Sequence, residues 1–163
     1  MNLYIRPFHQ NDMDDIVDLS LLAWEPVFNS FEAILGPRIY PVLYPDWRLG
    51  QAEGVEKYCM DQEKSIVFVA EVGGQVVGFI AYQNNESDKT GEVMLLAVHP
   101  EFQDRGIGTE LNMVALEKMK ESGMVMAVVG TGGDPAHSPA RRSYEKSGYT
   151  GLPLVRYYKS LEE

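Results

Sequence analysis

The residues with the most chemistry in them are Gln103-Asp104-Arg105-Gly106-Ile107-Gly108-Thr109. They join an apolar, strand-like run, Val93 to Val98, to a helical pattern extending from Thr109 to Glu121. Glycine at 106 and 108 lets the backbone approach a ligand, and the first turn of a helix leaves N–H groups free to meet an anion. The arrangement suits phosphate binding; read alone, it is equally a tight structural turn. Two common versions of the motif are excluded. Leu111 occupies the third-glycine position of the dinucleotide fingerprint, and no Gly-Lys-Ser/Thr follows. Cys59, the single cysteine, sits in a helical pattern without an evident histidine partner, which argues against a cysteine nucleophile. His9, His99 and His137 lack ligand spacing, so no metal is expected.

A second string, His137 to Tyr149, reads HSPARRSYEKSGY. With Glu92 to Thr109, EVMLLAVHPEFQDRGIGT, it resembles the paired signatures of the GNAT N-acetyltransferases. Gln-x-x-Gly-x-Gly follows an apolar strand, and Ala140, Tyr144-Glu145-Lys146 and Gly148-Tyr149 match the later motif in the family's order. The resemblance covers Ser65 to Tyr149 well, and the Arg6-Pro7 start fits it too. Leu21 to Gln62 falls where the family varies. It implies acetyl-CoA as co-substrate, no metal, and an acetyl group moved to a primary amine by direct transfer. The second reading is an acyl-CoA-binding sensor or regulatory module that has lost turnover.

Acetyl transfer to an amine has three requirements. An alkylammonium of pKa ~10.4 must lose a proton, the thioester oxygen needs a donor as charge develops on it, and the departing thiolate, with a reference pKa of ~8.5, benefits from a proton. The resemblance assigns these roles to residues. A backbone N–H near Leu96 serves the oxygen, and Leu96, Ala97 and Val98 pair with pantetheine as an added strand. Tyr144 stands at the general-acid position, with a buried tyrosine packed on the sheet as the plain alternative. Glu92 matches a carboxylate base, acting directly or through water, or else is a solvent-facing strand end. Gln103, Asp104, Arg105, Gly106, Ile107, Gly108 and Thr109 cradle the pyrophosphate, Arg105 adding charge. Ala140 matches the cofactor motif. His137 replaces the usual Asn; it touches the pantetheine arm or packs in its loop. Arg141 and Arg142 are solvated, or one reaches a phosphate. Trp24, Phe28, Tyr40, Tyr44 and Trp47 divide between core and acceptor pocket.

Net charge is −10, which disfavours nucleic acid as a partner. Between Asn11 and Glu63 eleven acids face three bases, a solvated surface or an attraction for a cationic small-molecule amine. A peptide amine is the other acceptor class. No apolar run reaches the ~20 residues that span a membrane, and MNLYIRPFHQ lacks a signal-peptide core, so a cytoplasmic protein without a membrane partner is expected. A homodimer is possible, dimers being frequent in families of this kind.

These groups need positioning elements. Leu3 to Pro7 reads as a strand. Asn11 or Asp12 caps a helix that Pro26 should kink or end. Phe28 to Trp47 has no clean period, and Asp46-Trp47 opens a second helix reaching about Gln62. Ile66 to Val72, a Gly73-Gly74 turn and Gln75 to Gln83 form a hairpin. Glu92 to Val98 and Val125 to Val129 are further strands, the second buried. Ser138 caps a short helix with Pro139 at its first position. Tyr149 to Ser160 is strand material broken at Pro153. The expected fold is one domain over 1–163. It is α/β, with a mixed, mostly antiparallel sheet whose fourth and fifth strands splay apart and helices on both faces.

Overall fold

The computed structural model describes residues 1–162. Its centre is the hairpin of β2 (Ser65–Val72) and β3 (Gln75–Asn85). Gly73 and Gly74 turn between them at φ 61° and 83°, the left-handed region in which a side chain is strained. β1 (Leu3–Pro7) pairs antiparallel with β2, and β4 (Thr90–Val98) antiparallel with β3. β5 (Met126–Val129) joins β4 in parallel, giving the order β1-β2-β3-β4-β5.

α1 (Met13–Leu43) and α2 (Trp47–Met60) cover one face of the sheet. Ile16, Leu19, Val55 and Cys59 bury against Val69, Phe79 and Ala81 there. α3 (Ile107–Glu121) covers the other, setting Ile107, Leu111, Ala115 and Met119 over Val77, Ile80 and Tyr82. The i, i+4, i+8 spacing of the α3 residues supplies that apolar stripe. α4 (Ser138–Lys146) packs beside α3, with Thr109 Oγ1 and Ser143 Oγ 3.1 Å apart. The mixed, mostly antiparallel sheet with helices on both faces is therefore present.

Four local expectations are corrected. α1 does not end at Pro26, where the backbone stays helical; its break is at Gly36, with φ 72° and ψ 179°, directly before Pro37. A residue preceding proline is driven from the helical region, and Pro37 then begins a fresh helical segment at no cost in donors. The aperiodic stretch after Phe28 is consequently mostly helix. Its aromatic rings lock together instead of forming a stripe: Phe28 stacks on Trp47 at 4.5 Å and Tyr44 stacks on Phe31 at 5.6 Å. Ser138 is the first residue of α4, and His137 holds the cap position. β5 is a half-exposed edge, with Met126 and Val128 facing solvent. Finally, residues 149–162 form no strand, and Leu152, Leu154 and Tyr157 are exposed. Pro153 lacks a ladder donor, and β5 offers an edge of only four residues.

Candidate active site

β4 and β5 are hydrogen-bonded only from Thr90–Met126 to Val93–Val129. Beyond that, β4 continues alone to Val98, and a register shift between Ala81 and Tyr82 leaves Met94 without a partner on β3. The splay expected at this place is real, and its chemistry follows from the antiparallel alternation. His99 N–H donates to Val77 O at 2.8 Å, so Val98 and Leu96, one and three residues earlier, turn their N–H and C=O groups to the opposite edge. That edge borders a cleft of about 660 Å³.

The loop after β4 makes the end of the cleft that suits an anion. Asp104 and Gly106 both take left-handed backbone, φ 58° and 83°, which folds the chain back over the start of α3. The first helical bond runs from Glu110 N–H to Gly106 O, so the N–H groups of Ile107, Gly108 and Thr109 are free of helix partners. They add the helix's positive dipole end to the site. A side chain on Gly108 would point at Val98 and Ser143, into the cleft. Gln103 Nε2 donates to Val98 O at 3.0 Å, fastening the loop to the strand. Arg105 lies outside the lining, its guanidinium donating to Glu101 O at 2.9 Å and resting over Phe102.

α4 forms the opposite wall. Tyr144 is buried among its neighbours and set edge-on to Tyr149 at 5.7 Å. Burial, with Tyr149 beside it, pushes the phenol up to about 12. Its hydroxyl bonds to no other group among the described residues, and Tyr144 lines the cleft. Ala140 lines the same wall and His137 its end.

Leu96, Ala97, Val98, Gln103, Asp104, Gly106, Ile107, Gly108, Thr109, His137, Ala140 and Tyr144 are thus brought to one cleft. Glu92 is not. It is exposed, opposite Val128 in the closed part of the β4–β5 pair, and outside the lining. Of the five aromatics considered, only Trp24 faces the cleft. Sequence reasoning missed Ser30 and Asp134. Ser30 Oγ donates to Asp134 Oδ2 at 2.6 Å, while His137 Nδ1 meets Asp134 Oδ1. Burial alone would raise the Asp134 carboxyl, but hydrogen bonds from Ser30 and His137 outweigh it and hold the group below the usual carboxylate range.

The sheet thus opens between its two parallel strands over a glycine loop and a free helix start. The profile of the acetyltransferase (GNAT) family matches residues 27–149. An uncharacterized N-acetyltransferase from Archaeoglobus fulgidus is 38% identical over 145 residues, covering 86% of this chain and 88% of its own. The chain belongs to the GNAT acetyltransferase family. Among solved structures, the PaiA N-acetyltransferase of Thermoplasma acidophilum in complex with coenzyme A superposes with TM-score 0.75 at 17% identity, over 95% and 94% of the two chains. An aminoglycoside acetyltransferase from an uncultured soil metagenomic sample, in complex with sisomicin, gives 0.61 at 20% identity over 98% and 97%. Among the described residues no helix is long and apolar enough to cross a membrane.

Proposed function

We propose that this protein moves an acetyl group from acetyl-CoA to a primary amine by direct transfer in a ternary complex. The observation that carries the reading is the cleft itself. It joins three free N–H groups at the start of α3, a strand edge at Leu96 and Val98 that only the Gln103 amide meets, at Val98 O, and a buried phenol at Tyr144. These fit the three parts of acetyl-CoA in order: a pyrophosphate, an amide-bearing arm and a thioester.

Ile107, Gly108 and Thr109 would hold the pyrophosphate through backbone donors, and the missing side chain at Gly108 leaves the room. Leu96 and Val98 would pair with the pantetheine amides as a neighbouring strand does. When bound, acetyl-CoA supplies an activated acetyl group. The Leu96 N–H would donate to the carbonyl oxygen as charge grows on it. Tyr144 would give its proton to the departing sulfur; its raised pKa keeps it in the acid form at every physiological pH. Cys59 is fully buried and pushed up to about 12, which supports direct transfer over a cysteine relay.

For the acceptor, the reading is a cationic small-molecule amine. None of the acids between 11 and 63 lines the cleft, so their attraction would act as a field over its approach. Calorimetry with acetyl-CoA tests the donor site: one equivalent binding at micromolar protein supports it, and no heat of binding defeats it.

A further inference from the structure

The Asp134–His137 pair does more than close a loop. Asp134 Oδ1 meets His137 Nδ1, and Ser30, reaching across from α1, fills Asp134 Oδ2 at 2.6 Å. The carboxylate side chain is 7% exposed, so these hydrogen bonds rather than water meet its charge. Arg141 Nη1 donates to the carbonyls of Gly132 and Asp134, pinning the loop that carries the pair. Gly132 has no room for a side chain, because a Cβ would overlap both Asp134 Oδ1 and His137 Nδ1. Phe31 lies against the imidazole, ring centres 5.7 Å apart. Three separate elements thus hold one histidine ring in one orientation.

That orientation has a chemical consequence. A carboxylate held ionised accepts hydrogen bonds only, so the proton of neutral His137 belongs on Nδ1 and the lone pair on Nε2. Nε2 has no partner among the described residues, and the ring borders the cleft that Tyr144 lines. We propose that His137 is the proton acceptor for the incoming amine, and that Asp134 and Ser30 are positioning residues that fix its tautomer. The inference rests on the acetyl-transfer reading and supplies the base that exposed Glu92 does not bring into the cleft.

Forming an amide removes two protons from an alkylammonium. Nε2 takes the first and frees the nitrogen lone pair. That lone pair makes the C–N bond as the C–S bond breaks and the bonding electrons leave with sulfur, which takes the Tyr144 proton. The second proton leaves nitrogen as the amide forms and restores Tyr144 through solvent. The imidazolium then returns its proton to water. The charged groups around the ring are Asp134 on its own loop, with Arg141 and Arg142 on α4, the latter's Nη1 on Ser138 Oγ; α1 brings Ser30 and Phe31, neither of them charged.

The test combines a spectrum with rates. In ¹⁵N NMR of the native protein at neutral pH, the histidine signal that His137→Gln removes should show the Nδ1–H tautomer, and Asp134→Asn should shift it toward Nε2–H. In thiol-release assays with a basic alkylamine, His137→Gln should lower turnover roughly 100-fold at neutral pH. The loss should shrink as pH approaches the amine pKa, while coenzyme A affinity measured by calorimetry stays within about threefold. An Nε2–H tautomer in the native protein overturns the proposal, as does a loss of coenzyme A affinity with an unchanged pH profile, which would make His137 a pantetheine contact. Native protein that releases no thiol with any amine would defeat the acetyl-transfer reading itself.

Discussion

Tyr144 brings its phenol to the cleft from the last turns of α4. Burial keeps it protonated until pH nears about 12, so a role as acid would persist through the alkaline range. Replacing it, Tyr144→Phe, keeps the packing against Tyr149 and removes the proton. Thiol release with a genuine acceptor should fall roughly 100-fold, with coenzyme A affinity nearly unchanged by calorimetry. An unaltered rate would remove Tyr144 from the chemistry. Tyr144 was legible in the sequence because its motif is contiguous, from Ala140 to Tyr149. The network around His137 was not: Asp134 lies three positions from it, but Ser30 bonds Asp134 and not the ring. Ser30 and Asp134 stand 104 positions apart, and only the fold makes them neighbours. Nor does a motif show that Glu92 faces solvent, since that depends on where β5 pairs.

At the scale of elements, the loop from Gln103 to Thr109 separates binding from stability. Gly108 could carry a Cβ in ordinary contact with Val98, 3.6 Å away, so Gly108→Ala should melt near the native temperature. It should still weaken coenzyme A binding on the order of tenfold, about 1.4 kcal/mol, because the new methyl group enters the cleft. Gly106 at φ 83° is the opposite case. Gly106→Ala should cost roughly 1–2 kcal/mol of stability, read in denaturant melts, because left-handed backbone crowds a Cβ. The strands and α3 could be read ahead because their periods are regular. α1 could not. Proline inside a helix costs ~3 kcal/mol, yet Val27 and Phe28 are buried immediately after Pro26, and burial of such side chains at ~1.5–3 kcal/mol each offsets the missing donor. The final segment failed the other way: its pattern suits a strand, but Pro153 and the short β5 edge give it no ladder.

Across the whole molecule, two charge arrangements set how stability should vary with pH. Arg6 grips Asp12 through both nitrogens, at 2.7 and 2.8 Å, and Glu71 at 2.8 Å, tying β1 to the start of α1 and to β2. The hydrogen bonds from Arg6 hold the Asp12 carboxyl below its ordinary range, so their contribution is present above pH ~4 and is lost as the pH falls further. At the alkaline end, burial raises Cys59 from 9.0, and Tyr82 and Tyr144 from 10.0, each to about 12. All three ionise sooner in the unfolded chain. Stability is therefore complete below those unfolded values and declines as pH rises through about 12, which thermal melts will register as a falling Tm. The central claim concerns the cleft as a place where acetyl leaves sulfur for nitrogen. Its most direct test is thiol release from acetyl-CoA by the native protein across a panel of primary amines, read against the rate without amine. Release that depends on amine, strongest with cationic small molecules, is the predicted result. A rate that no amine raises above background hydrolysis would contradict it.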